Sequence, residues 1–191
     1  MSAQGIRPVE VHGYAIISDD NMIAADDGLV PLTLRNEKDW EYYQGALARS
    51  DLVVFGHTSH IAEPNTRGGP RLVITRHAAD GLEQRPDAWF WDPARVAWSA
   101  VVARLLPSGG NVAAPGGQGV FDLFLGIGYD AFHLSRAAGV KLPGGRPVFS
   151  ACATGLSAED VLAKAGLVVG EHIPLDPAHG VEMNVWRRPK G

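Results

Sequence analysis

The sequence predicts an α/β fold: a mixed, mostly parallel sheet with helices on both faces and a C-terminal antiparallel hairpin. Three observations predict it. Short apolar runs alternate with helical patterns through the middle of the chain. Gly or Pro punctuates the junctions between them. The chain ends on two strand-like runs, "LVVGEHIPL" and "GVEMNVWRR", joined by the turn "DPAHG".

Each element follows from its local pattern. "VEVHGYAIIS" is a strand, part alternating and part continuously apolar. The acidic loop "DDNMIAADDGLVP" after it is long for a simple connection, and such loops are often lids or binding loops. "NEKDWEYYQGALARS" is a helix capped by Asn36, with Trp40, Tyr43 and Leu47 at helical spacing. "DLVVFG" is a short buried strand, and "HTSHIAE" a helical turn facing its end. "RLVIT" and "AWFWDP" are two further strands, with the turn "NTRGGP" before the first. "PARVAWSAVVARLLPSGG" is a helix closed by Pro and Gly. "NVAAPGG" is a strand running into a glycine turn, "GQGVFDLFLGIG" a helix, and "DAFHLSRAAGV" the returning strand. "SAEDVLAKAG" is a short helix with Ser157 as cap and Gly166 as stop.

The totals bound the function. A chain of 191 residues, 46% hydrophobic and 20% charged, suits one domain, taken as 1–191, with a full core. A net charge of −4 offers no basic surface for nucleic acid. The lone Cys152 excludes an internal disulfide, suits a reducing compartment and reads as a small core or loop residue. The N-terminus has no signal core, and no run nears the roughly 18 apolar residues of a membrane helix. A cytoplasmic protein without membrane contact is expected. Seven histidines form no H-x-x-x-H pair on a convincing helix, so no metal is expected.

The glycine turn is the first candidate site. It falls at the carboxyl end of a strand, where open α/β sheets bind ligands. Gly116, Gly117 and Gly119 would let a pyrophosphate approach the backbone, and the helix N-terminus would offer the amides of Val120 and Phe121. A tight structural turn without a ligand fits the same residues. The spacing is not the G-x-G-x-x-G dinucleotide fingerprint.

Four stretches in register resemble the dihydrofolate reductase superfamily, with a closer likeness to the reductase domain of bifunctional riboflavin-biosynthesis enzymes and its stand-alone relatives. "SDDNMIA" resembles S-x-D-G-x-I-A, with Asn21 in place of glycine. "LARSDLVVFGHTSH" resembles a helix–strand–G-R-x-T segment, with His57 in place of arginine. "VITRH" leaves the third strand, and "GGQGVFDLFLGIGYDAFHLS" resembles the family's G-G helix and following strand. The likeness spans roughly residues 9–188, terminal hairpin included.

That resemblance implies a dihydrofolate reductase-like sheet of about eight strands and NADPH bound across its strand ends. Ala15 and Ile16 would lie against the nicotinamide, with the loop from Ser18 through Asp20 to Ile23 folded over it. Gly56, His57 and Thr58 would bind phosphate. Thr75, Arg76 and His77 would flank the adenosine ribose and its 2′-phosphate. Gly116, Gly117, Gln118, Gly119, Val120 and Phe121 would hold the pyrophosphate. His57 grips a phosphate less firmly than arginine, which leaves that role to Arg76 or weakens the preference for NADPH over NADH.

At the substrate end, the superfamily's acidic residue with an aromatic one turn later falls on Asp39 and Tyr43, at i and i+4 of the first helix. Counting from "LVPLTL", where Leu32 replaces the family's tryptophan, selects Glu37 instead. Either carboxylate also fits plain decoration of a helix N-terminus. The expected function is an NADPH-dependent reductase of a small heterocyclic substrate, pterin-like or ribosylaminopyrimidine-like; the alternative is a non-catalytic nucleotide-binding module on the same fold. Neither H-x-E nor P-C-x-x-C occurs, so the zinc deaminase half of the bifunctional enzymes is not expected. The relatives imply a homodimer, with Trp186 either an interface anchor or a core residue of the last strand.

Overall fold

The structure, a computed structural model, describes residues 7–65 and 68–190. The first six residues, read above for a signal core, and part of the "NTRGGP" turn lie outside the described residues. Eleven strands and five helices follow in chain order: β1 Val9–Ile17, β2 Met22–Ala24, α1 Glu37–Ala48, β3 Leu52–Gly56, α2 His57–Ala62, β4 Arg71–Ile74, β5 Leu82–Gln84, β6 Trp89–Trp91, α3 Trp98–Leu105, β7 Gly110–Gly116, α4 Gln118–Ile127, β8 Ala131–Ala137, β9 Arg146–Pro147, α5 Ala158–Lys164, β10 Val168–Asp176 and β11 Val181–Arg187. Nine strands form one sheet in the order β10-β11-β8-β1-β7-β3-β4-β6-β5. From β8 to β6 the neighbours are parallel. Antiparallel strands close both edges. No described helix is long and apolar enough to cross a membrane.

The expected architecture is present, with local differences. The sheet gains β5, a three-residue strand too short to show alternation. Ahead of α3, the expected helix start at Pro93 is instead a turn. The buried Asp92 carbonyl accepts from the N–H groups of Arg95 and Val96, and its carboxylate accepts from Ala94 N–H. Elsewhere the caps are as read. The Asn36 side chain accepts from Lys38 and Asp39 N–H, and Ser157 forms a capping box with Asp160.

The sheet has two unlike faces. Successive strand residues point to opposite sides. In β8, Phe132 and Leu134 join the main core, with Phe121 and Phe124 of α4, Phe149, and Val161 and Leu162 of α5. Ala131 belongs to a separate small cluster with Met183, Val185 and Tyr42 of α1. His133 and Ser135 share the Ala131 face and are buried polar groups. The dry face is tightly filled. A Cβ added at Gly13 of β1 would stand 2.3 Å from the Phe132 ring and 3.0 Å from Tyr129. Gly13→Ala should therefore destabilise the fold by at least about 1–3 kcal/mol, the usual cost of overpacking; urea unfolding should show a lowered midpoint.

Candidate active site

β7 carries Pro115, which has no N–H to give the ladder, and its register against β3 shifts there. Its pairing with β1 stops at Ala114. The carboxyl ends of β1, β3, β4 and β7 thus open beneath α1 into a cavity of about 990 Å³. Thirteen of the residues singled out in the sequence line it: Ala15, Ile16, Asp39, Tyr43, Gly56, His57, Thr58, Gly116, Gly117, Gln118, Gly119, Val120 and Phe121.

The paired glycines have a backbone reason. Gly116 has φ +135° and Gly117 φ +51° with ψ 159°, conformations that a side chain resists. A second fact bears on a ligand. A Cβ built at Gly117 or Gly119 meets nothing within 4 Å, so bare backbone faces open space at the start of α4. The amides expected to face a ligand, on Val120 and Phe121, instead donate to the Gly117 carbonyl at 3.0 and 3.1 Å as the first bonds of the helix. The first helical N–H groups, on Gln118 and Gly119, have no intrahelical acceptor, and no acidic side chain stands in that first turn. The α2 N-terminus behind Gly56 faces the same cavity and carries the exposed His57. Donor set, bare backbone and dipole fit the phosphates of a dinucleotide.

Five singled-out residues lie elsewhere. Ser18 is fully buried, and its hydroxyl donates to Asp20 and accepts from Met22 N–H at 3.0 Å. Asp20 accepts from Leu142 N–H. Arg136 donates to the carbonyls of Ser18 and Asp19 and to the Asn21 side chain, and pairs with Glu159. These bonds pin the turn after β1. Asn21 stands where the family pattern has glycine, and its φ of +66° is the left-handed region that asparagine tolerates. Beyond β4, the Thr75 hydroxyl accepts from His77 N–H, while Arg76 and His77 are exposed outside the cavity lining.

At the other end α1 offers two carboxylates. Glu37 is exposed at the rim. Asp39 is largely withdrawn from water; burial pushes its pKa above the ordinary carboxylate value, and the Ser135 hydroxyl offsets part of the rise. Tyr43, one turn on, is buried enough to raise its phenol pKa and packs 5.3 Å from the Trp40 ring. Sequence reasoning missed Tyr14, Tyr42, His133 and Ser135, which also line the cavity. For His133 and Ser135 the signal was present in "AFHLSRA": two polar residues at alternate positions of a largely apolar strand.

No family model matches the sequence, and no curated protein does. Solved structures do. A diaminohydroxyphosphoribosylaminopyrimidine deaminase/5-amino-6-(5-phosphoribosylamino)uracil reductase from Thermotoga maritima aligns over 95% of this chain at 15% identity with a TM-score of 0.68. This chain spans 57% of that one. A pyrimidine reductase-like protein from Corynebacterium diphtheriae aligns over 96% of this chain and 93% of its own, at 13% identity and a TM-score of 0.67. The chain has the dihydrofolate reductase-like fold. Dihydrofolate reductase from Enterococcus faecalis, complexed with NADP(H), aligns over 95% of this chain and 97% of its own, with 11% identity and a TM-score of 0.64.

The dihydrofolate reductase-like fold thus places Asp39 where burial costs it charge. A carboxyl whose folded pKa is raised penalises the folded state above that pKa. The penalty vanishes below the unfolded value of about 3.8. Asp39→Asn should raise the urea midpoint at pH 7, and the gain should fade as pH falls towards 3.8; an unchanged midpoint at pH 7 would place Asp39 in water.

Proposed function

We propose that the protein is an NADPH-dependent reductase of a small heterocyclic substrate, pterin-like or ribosylaminopyrimidine-like. One observation carries the reading: a single cavity joins the bare glycine backbone at the start of α4 to the withdrawn carboxyl of Asp39. When bound, the nicotinamide cofactor supplies a hydride. Ala15 and Ile16 would give its ring an apolar wall, and the start of α2 at Gly56 to Thr58 and the free N–H groups of Gln118 and Gly119, beside the bare Gly116–Gly117 turn, would hold its phosphates. Arg76 and His77, exposed beyond the end of β4 and outside the cavity lining, would reach a 2′-phosphate only from beyond its rim. Asp39 would hold the N–H edge of the substrate ring and keep a proton at its carboxyl more readily than an exposed aspartate, with Ser135 fixing its orientation. The known functions of the structural neighbours support the same class.

The test separates cofactor from fold. Gly119→Ala adds a methyl in open space on a helix, so it should stabilise the protein by about 0.5–1 kcal/mol. Gly119→Leu should stay folded but weaken NADPH at least about tenfold. Equal NADPH affinity in native and Gly119→Leu protein would sink the site. Cofactor binding without turnover on any pterin or pyrimidine would leave a nucleotide-binding module.

We also infer a homodimer. Trp186 packs in the main core, so it is no surface anchor. Of the two edge strands, β10 is the longer and more apolar, hydrogen-bonded to β11 alone, with Val168 and Val169 more than half exposed. An unpaired, apolar edge strand favours pairing with another chain. Light scattering should give a dimer mass at micromolar concentration, and Val169→Lys should shift it to monomer.

A further inference from the structure

On the polar face of the sheet, four side chains line up from the surface to the cavity. Glu10 and His12 come from β1, His133 from β8 and Tyr42 from α1. The His12 Nε2 atom lies 3.6 Å from the Glu10 carboxylate, a charge-pair distance rather than a full hydrogen bond. His12 Nδ1 and His133 Nε2 are 3.3 Å apart. His133 Nδ1 is 3.0 Å from the Tyr42 hydroxyl. His133 stacks on the Tyr14 ring, with centroids 4.6 Å apart and 11° between planes. Tyr14, Tyr42 and His133 all line the cavity. Nothing in the cofactor reading uses this row.

One arrangement of protons makes every contact in the row attractive. Burial, then the neighbouring His12 and Arg187, keep the His133 pKa down at about 3, and burial also lowers that of His12, so both rings are neutral at pH 7. A neutral imidazole has one donor nitrogen and one acceptor. The Glu10 carboxylate accepts only, and it favours the proton on His12 Nε2. His12 Nδ1 is then bare and must accept from His133 Nε2–H. His133 Nδ1 is bare in turn and accepts from the Tyr42 hydroxyl. The phenol proton is thereby committed to His133, which is the hydroxyl's one protein partner among the described residues.

We propose that Tyr42 is a specificity-determining residue whose oxygen meets a bound ring only as a hydrogen-bond acceptor, a polarity imposed from Glu10 through His12 and His133. This rests on the reading of the cavity as a substrate pocket. The ligand atom that meets Tyr42 must therefore be an N–H donor: an amino-substituted ring is accepted, and a ring carbonyl facing Tyr42 sets lone pair against lone pair. Leaving such a buried acceptor unpaired is costly.

Two measurements test it. In ligand-free protein labelled with ¹⁵N-histidine, long-range ¹H–¹⁵N correlation should show His12 and His133 both protonated at Nε2. An Nδ1–H tautomer at either overturns the proposal, as does an unchanged tautomer population in Glu10→Ala. Calorimetric titration with 2,4-diaminopyrimidine and with uracil should show preference for the diamino ring. Tyr42→Phe should weaken the diamino ring about tenfold and tighten uracil by relieving its clash, so that the preference is lost. No preference in the native protein, or equal changes for both probes, overturns Tyr42's role. NADPH titration of the same sample keeps the two readings apart. Intact NADPH binding without the ring preference refutes Tyr42 alone; the expected tautomers and preference without NADPH binding refute the reductase reading alone.

Discussion

Alternation in β8 is the constraint on which the site depends. A strand exposes its residues to two faces in strict turn, and a slip of one residue would exchange them. Here that slip would drive His133 and Ser135 into the aromatic core and turn Phe132 and Leu134 towards α1. The ring of Phe132 meets Tyr129 at 5.1 Å and Phe121 at 5.4 Å, both edge-on, arrangements that add to simple burial. It also occupies the space above Gly13. The dry face therefore locks the register, and the register presents two polar groups to the cavity. Fold and site are one decision at this strand.

The segment after β1 divides by the same logic. Its first half is fixed: Asp19 N–H donates to the Val140 carbonyl, the Asp19 carboxylate accepts from Gly139 N–H, and Arg136 gathers the turn. Its second half leaves Leu29 and Leu32 largely exposed, while Gly28 and Val30 line the cavity. Few buried contacts and exposed apolar side chains place such a stretch at the low-stability end of the molecule. Ser18 and Asp20 therefore act on a ligand only through the turn they hold, which carries Ile23 and Ala24 into the cavity wall.

What was legible in the sequence was what local patterns encode. The strand ends, the glycine turn and the capped first helix each rest on a few adjacent residues, and they deliver most of the cavity. Asp39 and Glu37 could not be separated from sequence, because both sit in the first turn of α1. Burial separates them, and the hydroxyl that marks Asp39 as the inward carboxyl belongs to Ser135, 96 residues away along the chain. The same distance hid the Glu10–His12–His133–Tyr42 row, whose members join only when β1 pairs with β8 and α1 packs across them. The strand β5 and the β2–β9 pair have only two or three residues per strand, too few for any period to show. Thr75, Arg76 and His77 were placed by resemblance alone, and the chain leaves the cavity at Ile74.

The polar face is unfavourable for folding. A withdrawn carboxyl and two neutral, partly buried imidazoles each hold a group away from water in a form or place that water would not choose. Hydrogen bonds along the row recover part of that cost, and the aromatic core on the opposite face supplies the surplus that makes it tolerable. Replacing His133 and Ser135 with apolar residues of similar volume would serve stability as well or better. Groups kept against that preference, on a cavity wall and with their hydrogen-bond polarity determined from outside it, are what ligand recognition demands and what packing alone does not.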